Sequence, residues 1–156
     1  MKAHGVRYLA ATGVIAASLL VASAASAGLG GKSPSVRLDR AQLGARIEAT
    51  PQAGRTAYAM TLPNGGSVKE FTNAAGAVYA VTWSGPGKPD LRALLGAHFQ
   101  ALQTASARLD PRFRRVPVHV HQADLVIQTG GHMGYFWGVA YIPSLAPAGF
   151  SVADLK

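Results

Sequence analysis

The chain has 156 residues, contains no cysteine, and carries a formal net charge of +8 at pH 7, with 15 Lys and Arg against 7 Asp and Glu. This composition excludes disulfides, and it excludes a lipid anchor attached through a cysteine thiol. The basic surplus favours an acidic partner, such as lipid head groups, an acidic polysaccharide or an anionic protein face.

The first 27 residues have the pattern of an export signal. Lys2 and Arg7 make the start basic, an uncharged apolar run follows, and 25–27 have the small-x-small sequence that signal peptidase accepts. A retained membrane helix is the alternative, but the apolar run is short for a span and rich in Ala and Ser. We therefore predict a signal peptide over 1–27, a mature chain beginning at Gly28, a periplasmic or secreted location, and no membrane span after cleavage.

The mature chain has the size of a single domain with one core. Its first part, 28–54, contains Gly, Ser, Pro and scattered charges without a steady period, which predicts a loosely structured leader. Regular apolar patterns begin at Arg55. We predict one α+β domain over 55–156.

Strands in consecutive hairpins are predicted first, over 55–62, 67–72 and 77–83. Apolar residues alternate in them, and Asn and Gly occupy the turns between them. In the third strand, strict alternation places Tyr79, Val81 and Trp83 on one face.

A single long helix is predicted after these strands, from Leu91 to Arg108. Apolar residues recur there at helical spacing, and Asp90 stands at the N-cap position, where a carboxylate accepts the free amides of the first turn. A helix of this length measures roughly 27 Å, which is enough to cross four or five strands.

The last third returns to two or three strands, predicted within 116–121, 124–129 and 135–142, with 130–134 as a turn. Hairpin-connected strands favour antiparallel pairing, and one long amphipathic helix then packs on one face. The predicted fold is α+β, with an antiparallel sheet of about five strands in the order β-β-β-α-β-β.

Three segments resemble a known family, the domain of unknown function 2844 family of exported proteobacterial proteins. They are the early Leu29-Gly30-Gly31, the long run W-S-G-P-x-x-P-D-L-R-x-L-L-G over 83–96, and the late Gly130-Gly131-His132-Met133. The resemblance covers nearly all of the mature chain and implies an exported single-domain protein. It implies no reaction, because no activity is established for the family.

Two loops, 83–90 and 130–134, form the first candidate site. Glycines allow a backbone to approach a ligand closely, and the aromatic rings of Trp83, Tyr135 and Trp137 offer an apolar wall. The alternative is that these residues only make turns, cap the helix and fill the core. The candidate binding residues are Trp83, Gly85, Pro86, Asp90, Gly130, Gly131 and His132.

Histidines form the second candidate site. His119 and His121 are alternate residues of one strand, so their imidazoles point the same way, and His132 or Asp124 is the candidate for completing a metal site. The alternative is a pair of surface histidines on an exposed strand face.

The sequence favours a non-catalytic binding or interaction module of the cell envelope, without a cofactor. It contains no nucleophile elbow, phosphate-binding loop or dinucleotide fingerprint. The expected partner is an envelope protein or an anionic envelope component, and the alternative is a metal-binding protein or metal-dependent enzyme that uses the three histidines. Nucleic acid is not expected, because the basic residues are spread along the chain except at 112–115, a cluster typical of a solvated loop.

Overall fold

A computed structural model of the chain describes residues 28–109 and 116–155. The predicted signal peptide and the Arg112, Arg114 and Arg115 cluster lie outside the described residues. The helices are α1 (Ser33–Leu43), α2 (Leu91–Leu95) and α3 (Phe99–Ala107). The strands are β1 (Arg46–Gln52), β2 (Arg55–Thr61), β3 (Ser67–Asn73), β4 (Val78–Gly85), β5 (Val118–Gln122), β6 (Leu125–His132) and β7 (Tyr135–Tyr141).

The described strands form a single antiparallel sheet in the order β1-β2-β3-β4-β7-β6-β5. Pairing of β4 with β7 joins the two halves of the chain, with Trp83 opposite Gly138. The α+β class and the antiparallel pairing are therefore confirmed, and the expected strand number is corrected from five to seven. Strand β1 escaped prediction because it is an edge strand whose side chains are nearly all exposed, so it shows no apolar alternation.

The segment 28–54, expected to be a loose leader, contains α1 and β1 and contributes to the core. Leu29 and Val36 are 1% and 0% exposed. Helix α1 has Lys32 at its N-cap without a side-chain hydrogen bond, and only three of its residues are buried. The usual capping and amphipathic signals are thus weak, which explains why the sequence pattern did not reveal this helix.

The expected long helix is interrupted. A 3-10 turn over Gly96–His98 separates α2 from α3, and Gly96 has φ 51° and ψ −127°, a conformation that favours glycine. The N-cap prediction is confirmed, since the Asp90 carboxylate accepts hydrogen bonds from the amides of Arg92 at 2.9 Å and Ala93 at 3.1 Å.

The three helices cover one face of the sheet. Their buried side chains, including Val36, Leu94 and Leu102, join a core that draws on β2 to β7. The other face carries a smaller cluster around Phe71 and Tyr79, covered by the C-terminal segment after β7. Two short 3-10 helices, Pro143–Leu145 and Val152–Leu155, belong to that segment.

Tyr79 does not share a face with Val81 and Trp83, contrary to the expectation. A register shift between Phe71 and Thr72 of β3 places an extra residue in β4 at this point. Tyr79 therefore points to the C-terminal segment, whereas Val81 and Trp83 point to the helices. A bulge of this kind reverses the alternation of side chains between the two faces of the sheet, and no residue type in the strand indicates its position.

The hairpin between β6 and β7 is tighter than expected. Its strands pair as far as His132 opposite Tyr135, so the turn consists of Met133 and Gly134 instead of 130–134. Gly134 has φ +86°, which suits such a two-residue turn. Gly130 and Gly131 consequently lie within a strand.

Candidate functional site

A cavity of about 920 Å³ opens between the helical layer and the ends of β4, β6 and β7. This volume is in the range of sites for small molecules. Its apolar lining comes from Trp83, Leu91, Phe99, Leu102, Val116, Val118, Met133, Phe136 and Trp137. Its polar lining comes from Lys88, Gln103, Ser106, Thr129 and His132, and Gly130 and Gly131 complete it.

Trp83 is fixed in the cavity wall by the strand beside it. The residue is 3% exposed, and its indole lies over Gly138 of β7 so closely that a Cβ at position 138 would overlap the ring. Gly138 therefore creates the space that the indole fills. A second glycine makes room for a tryptophan in the neighbouring strand pair. Gly130 of β6 lies opposite Trp137 of β7, and a Cβ at Gly130 would lie 2.6 Å from Cζ2 of that indole.

Lys88 supplies positive charge at the cavity. Its ammonium lies 5.2 Å from the centroid of the Phe136 ring, within the range of a cation–π contact. The side chain is exposed, so its ammonium is accessible from solvent. Arg92 makes the equivalent contact at the helix, with its guanidinium 4.8 Å from the centroid of Phe99.

The structure brings together four of the seven candidate binding residues, since Trp83, Gly130, Gly131 and His132 all line the cavity. Gly85 and Pro86 are not among the lining residues. Gly85 is required by packing, because it has φ +146° and a Cβ there would lie 2.5 Å from Cα of Gly66.

Sequence reasoning missed much of the apolar lining and the lysine. Leu91 and Phe99 were assigned to the face of a continuous helix, and their position over the ends of the strands depends on the break at Gly96. Trp137 was expected in the aromatic wall and lines the cavity, whereas its neighbour Phe136 was missed and Tyr135, also expected there, is not among the lining residues. Lys88 lies in a Gly- and Pro-rich loop whose path the sequence does not define.

The three candidate metal ligands do not converge. His119 lies opposite Gln128 on β6, and His132 is four residues farther along that strand, so their backbones are roughly 13 Å apart. In addition, Nδ1 of His132 is 2.9 Å from the carbonyl oxygen of Met133. Within 28–109 and 116–155, no group of three or more His, Cys, Asp or Glu residues is arranged to hold a metal ion.

The fold and the cavity define a class: a small α+β domain whose helical layer and antiparallel sheet enclose a mainly apolar groove. The family follows from a match over residues 25–155 to the family described as "Protein of unknown function (DUF2844)", and the chain belongs to that family. No curated protein and no solved structure matches the chain. Among the described helices, none has the length and apolarity needed to cross a bilayer.

Proposed function

We propose that this protein is an exported, non-catalytic binding module of the cell envelope, and that its cavity binds an anionic amphipathic envelope component. The observation that carries the proposal is the groove between the helices and the sheet. Among its described lining residues, it combines four aromatic side chains, Trp83, Phe99, Phe136 and Trp137, with the exposed ammonium of Lys88. An acyl or other apolar group fits the aromatic wall, and an anionic head group pairs with the lysine.

The charge of the lining supports an anionic ligand. None of the described residues that line the cavity is Asp or Glu, and the whole chain carries a surplus of positive charge. A positive surface increases the local concentration of anions and speeds their association. Negative charge on the ligand would therefore meet attraction both at long range and at Lys88.

The hydrogen bonds that Ser106 and His132 make to backbone groups favour binding without reaction. The hydroxyl of Ser106 donates to the carbonyl oxygen of Leu102 at 2.8 Å, within its own helix. The His132 ring nitrogen that contacts Met133 is likewise engaged by the backbone. A nucleophile activated by a neighbouring base would need a hydrogen bond between such groups, and these two make theirs elsewhere.

A fluorescent fatty acid, dansyl-undecanoic acid, tests the proposal by titration against the purified protein. We expect saturable binding with increased dansyl fluorescence, and we expect the uncharged methyl ester of the probe to bind at least about tenfold more weakly, the loss of one charge-assisted contact. Equal binding of acid and ester would contradict the role of charge. An absence of saturable binding by both would contradict the cavity as a lipid-like site.

Lys88→Glu is the matching variant. Reversal of this charge should weaken binding of the acid by about tenfold or more and leave binding of the ester nearly unchanged, because only the acid carries the anionic group. Lys32→Glu is the control, since Lys32 is also exposed and is separated from the cavity lining. Equal effects of the two substitutions would mean that overall charge, and not Lys88, attracts the ligand.

A further inference from the structure

Two carboxyl groups are buried together beneath the helical layer. Asp39 of α1 and Glu70 of β3 are each 0% exposed. Three of their four oxygens, Asp39 Oδ1 and both Glu70 carboxyl oxygens, accept from no N–H or hydroxyl donor among the described residues, and the two carboxyl groups are close enough to share one proton in a hydrogen bond. A pair that holds a single proton still carries one buried negative charge, and buried charges are ordinarily paired, so this arrangement indicates a missing cation.

The hydrogen bond that the fourth oxygen accepts identifies where that cation would lie. Asp39 Oδ2 accepts a hydrogen bond of 2.8 Å from the backbone nitrogen of Gly28, and this contact is buried. Gly28 is the residue that follows the predicted signal-peptidase site. Its nitrogen is a single N–H donor while the peptide bond to Ala27 is intact, and a three-donor ammonium when that bond has been hydrolysed.

The backbone around Gly28 is held firmly in this place. The Leu29 amide donates to the carbonyl oxygen of Leu94 at 2.8 Å, and the Gly30 amide donates to that of Val78 at 2.9 Å. Gly28 has φ +83°, and a Cβ there would overlap the carbonyl oxygens of Ala93 and Leu94. Glycine is therefore required at the position that would become the first residue of the mature chain.

We propose that the α-ammonium of Gly28, released by signal-peptide cleavage, is the missing cation and binds in the buried site between Asp39 and Glu70. The inference rests on the export proposed above. Signal peptidase would catalyse the hydrolysis: one water is consumed, the C–N bond between Ala27 and Gly28 breaks, and a carboxylate forms on Ala27. The new amine of Gly28 takes up a proton, so the nitrogen that is hydrogen-bonded to Asp39 Oδ2 becomes a positively charged donor beside the carboxyl pair.

Charge supports the pairing. Burial, and next the negative charge of Asp39, raise the pKa of Glu70 to about 9 while Gly28 is an amide. Burial likewise raises the pKa of Asp39. An ammonium placed between them would compensate the negative charge that burial disfavours, and this compensation is available only to a chain whose first residue is Gly28. Completion of the fold would thereby be coupled to removal of the signal peptide.

The first test is made on protein expressed from the full chain and recovered after export. Its intact mass gives the first residue, which should be Gly28. The folded protein is then treated with cyanate, and cleavage at arginine releases a peptide over 28–37 that contains two amines, the α-amine of Gly28 and the ε-amine of exposed Lys32. Mass spectrometry of this peptide follows both reactions, so Lys32 is the internal control.

We expect the Gly28 amine of the folded protein to be carbamylated at least about tenfold more slowly than that of the chain unfolded in guanidinium chloride, with Lys32 reacting at similar rates in both. Equal rates for the Gly28 amine would overturn the buried ion pair. A first residue other than Gly28 would overturn the processing step on which the inference rests. The mass distinguishes these failures, and neither depends on whether the cavity binds a ligand.

Asp39→Asn extends the test. We expect it to accelerate carbamylation of Gly28 by about tenfold and to leave Lys32 unchanged, because the substitution removes the carboxylate that holds the amine. Glu48→Gln, at an exposed position of β1, is the matched control and should change neither rate. An unchanged Gly28 rate in Asp39→Asn would contradict the assignment. If Asp39→Asn does not fold, Glu70→Gln tests the same site and the unaltered protein still decides the outcome.

Discussion

At the scale of single residues, Glu70 should make stability depend on pH in a chain that keeps Gly28 in peptide linkage. Its pKa rises from 4.5 to about 9 because of burial and then the charge of Asp39. The folded state therefore keeps a proton that the unfolded state releases in this range. The free energy of unfolding should be highest below about pH 4.5 and fall as the pH rises towards 9.

Urea unfolding of a chain shortened to begin at Ala25 measures this dependence. Glu70→Gln should flatten it, because glutamine carries no proton to release. Glu48→Gln should leave the slope unchanged. The lowered pKa of Asp124, caused by hydrogen bonds from Ser144, acts at acidic pH and lies outside this window. Burial also raises the pKa of Asp39, so a smaller slope can remain in Glu70→Gln, but an unchanged slope would show that Glu70 is not the group that titrates.

Gly138 determines whether Trp83 can occupy the cavity wall. Gly138→Ala would place a methyl group inside the indole ring, so the ring must shift. We expect a loss of about 1–3 kcal/mol in the free energy of unfolding, typical of overpacking, together with a change in tryptophan fluorescence and weaker binding of the dansyl probe.

Gly87→Ala is the control for this substitution. A Cβ at Gly87 would lie 3.0 Å from the side-chain amide of Asn64, on the surface, where the contacted group can move. We expect Gly87→Ala to reduce the free energy of unfolding by less than about 0.5 kcal/mol. Equal effects at the two positions would mean that loss of glycine flexibility, and not the contact with Trp83, causes the destabilisation.

At the scale of elements, the sequence predicted those whose side chains alternate between core and solvent. Strand β2 was predicted on this basis, with Met60 inward and its neighbours outward. Edge strand β1 lacked an inward face, and α1 buries only Ser35, Val36 and Asp39, so neither produced a pattern. The break at Gly96 and the bulge beside Tyr79 depend on packing between distant segments, which local periodicity does not encode.

The candidate site was predicted in the same partial way. Trp83 and His132 were assigned to a shared site because two glycine-rich segments could meet, and both residues do line one cavity. Phe99 and Lys88 were not assigned to it, because their position depends on the orientation of a helix relative to a sheet. The Asp39–Glu70 pair gave no signal, since two isolated acids in different segments look like surface residues.

Helix α2 depends on its N-cap. Asp90 accepts two backbone hydrogen bonds in the first turn, and α2 is only five residues long. Asp90→Ala should reduce the free energy of unfolding by about 1 kcal/mol. Asp90→Asn retains an acceptor oxygen and should reduce the free energy of unfolding clearly less. Equal losses, measured by urea unfolding, would contradict the capping role.

At the scale of the whole molecule, the two faces of the sheet have different covers. The helices cover one face and form the cavity with it, whereas the C-terminal segment covers the centre of the other. Phe150 and the buried Leu155 are two of the contacts of this segment. The Phe150 ring packs edge-on against Tyr79 and Tyr141, with centroid distances of 5.4 Å to each.

Phe150→Ala should therefore loosen the C-terminal segment without disturbing the cavity on the opposite face. We expect a loss of roughly 2–3 kcal/mol, less than for a fully buried phenylalanine because Phe150 is only partly buried. Hydrogen exchange should accelerate after β7, in the segment itself. Val152→Ala removes an exposed side chain and is the control. Binding of the dansyl probe should be unchanged in both variants, and a weakened probe affinity in Phe150→Ala would show that the two faces of the sheet are coupled.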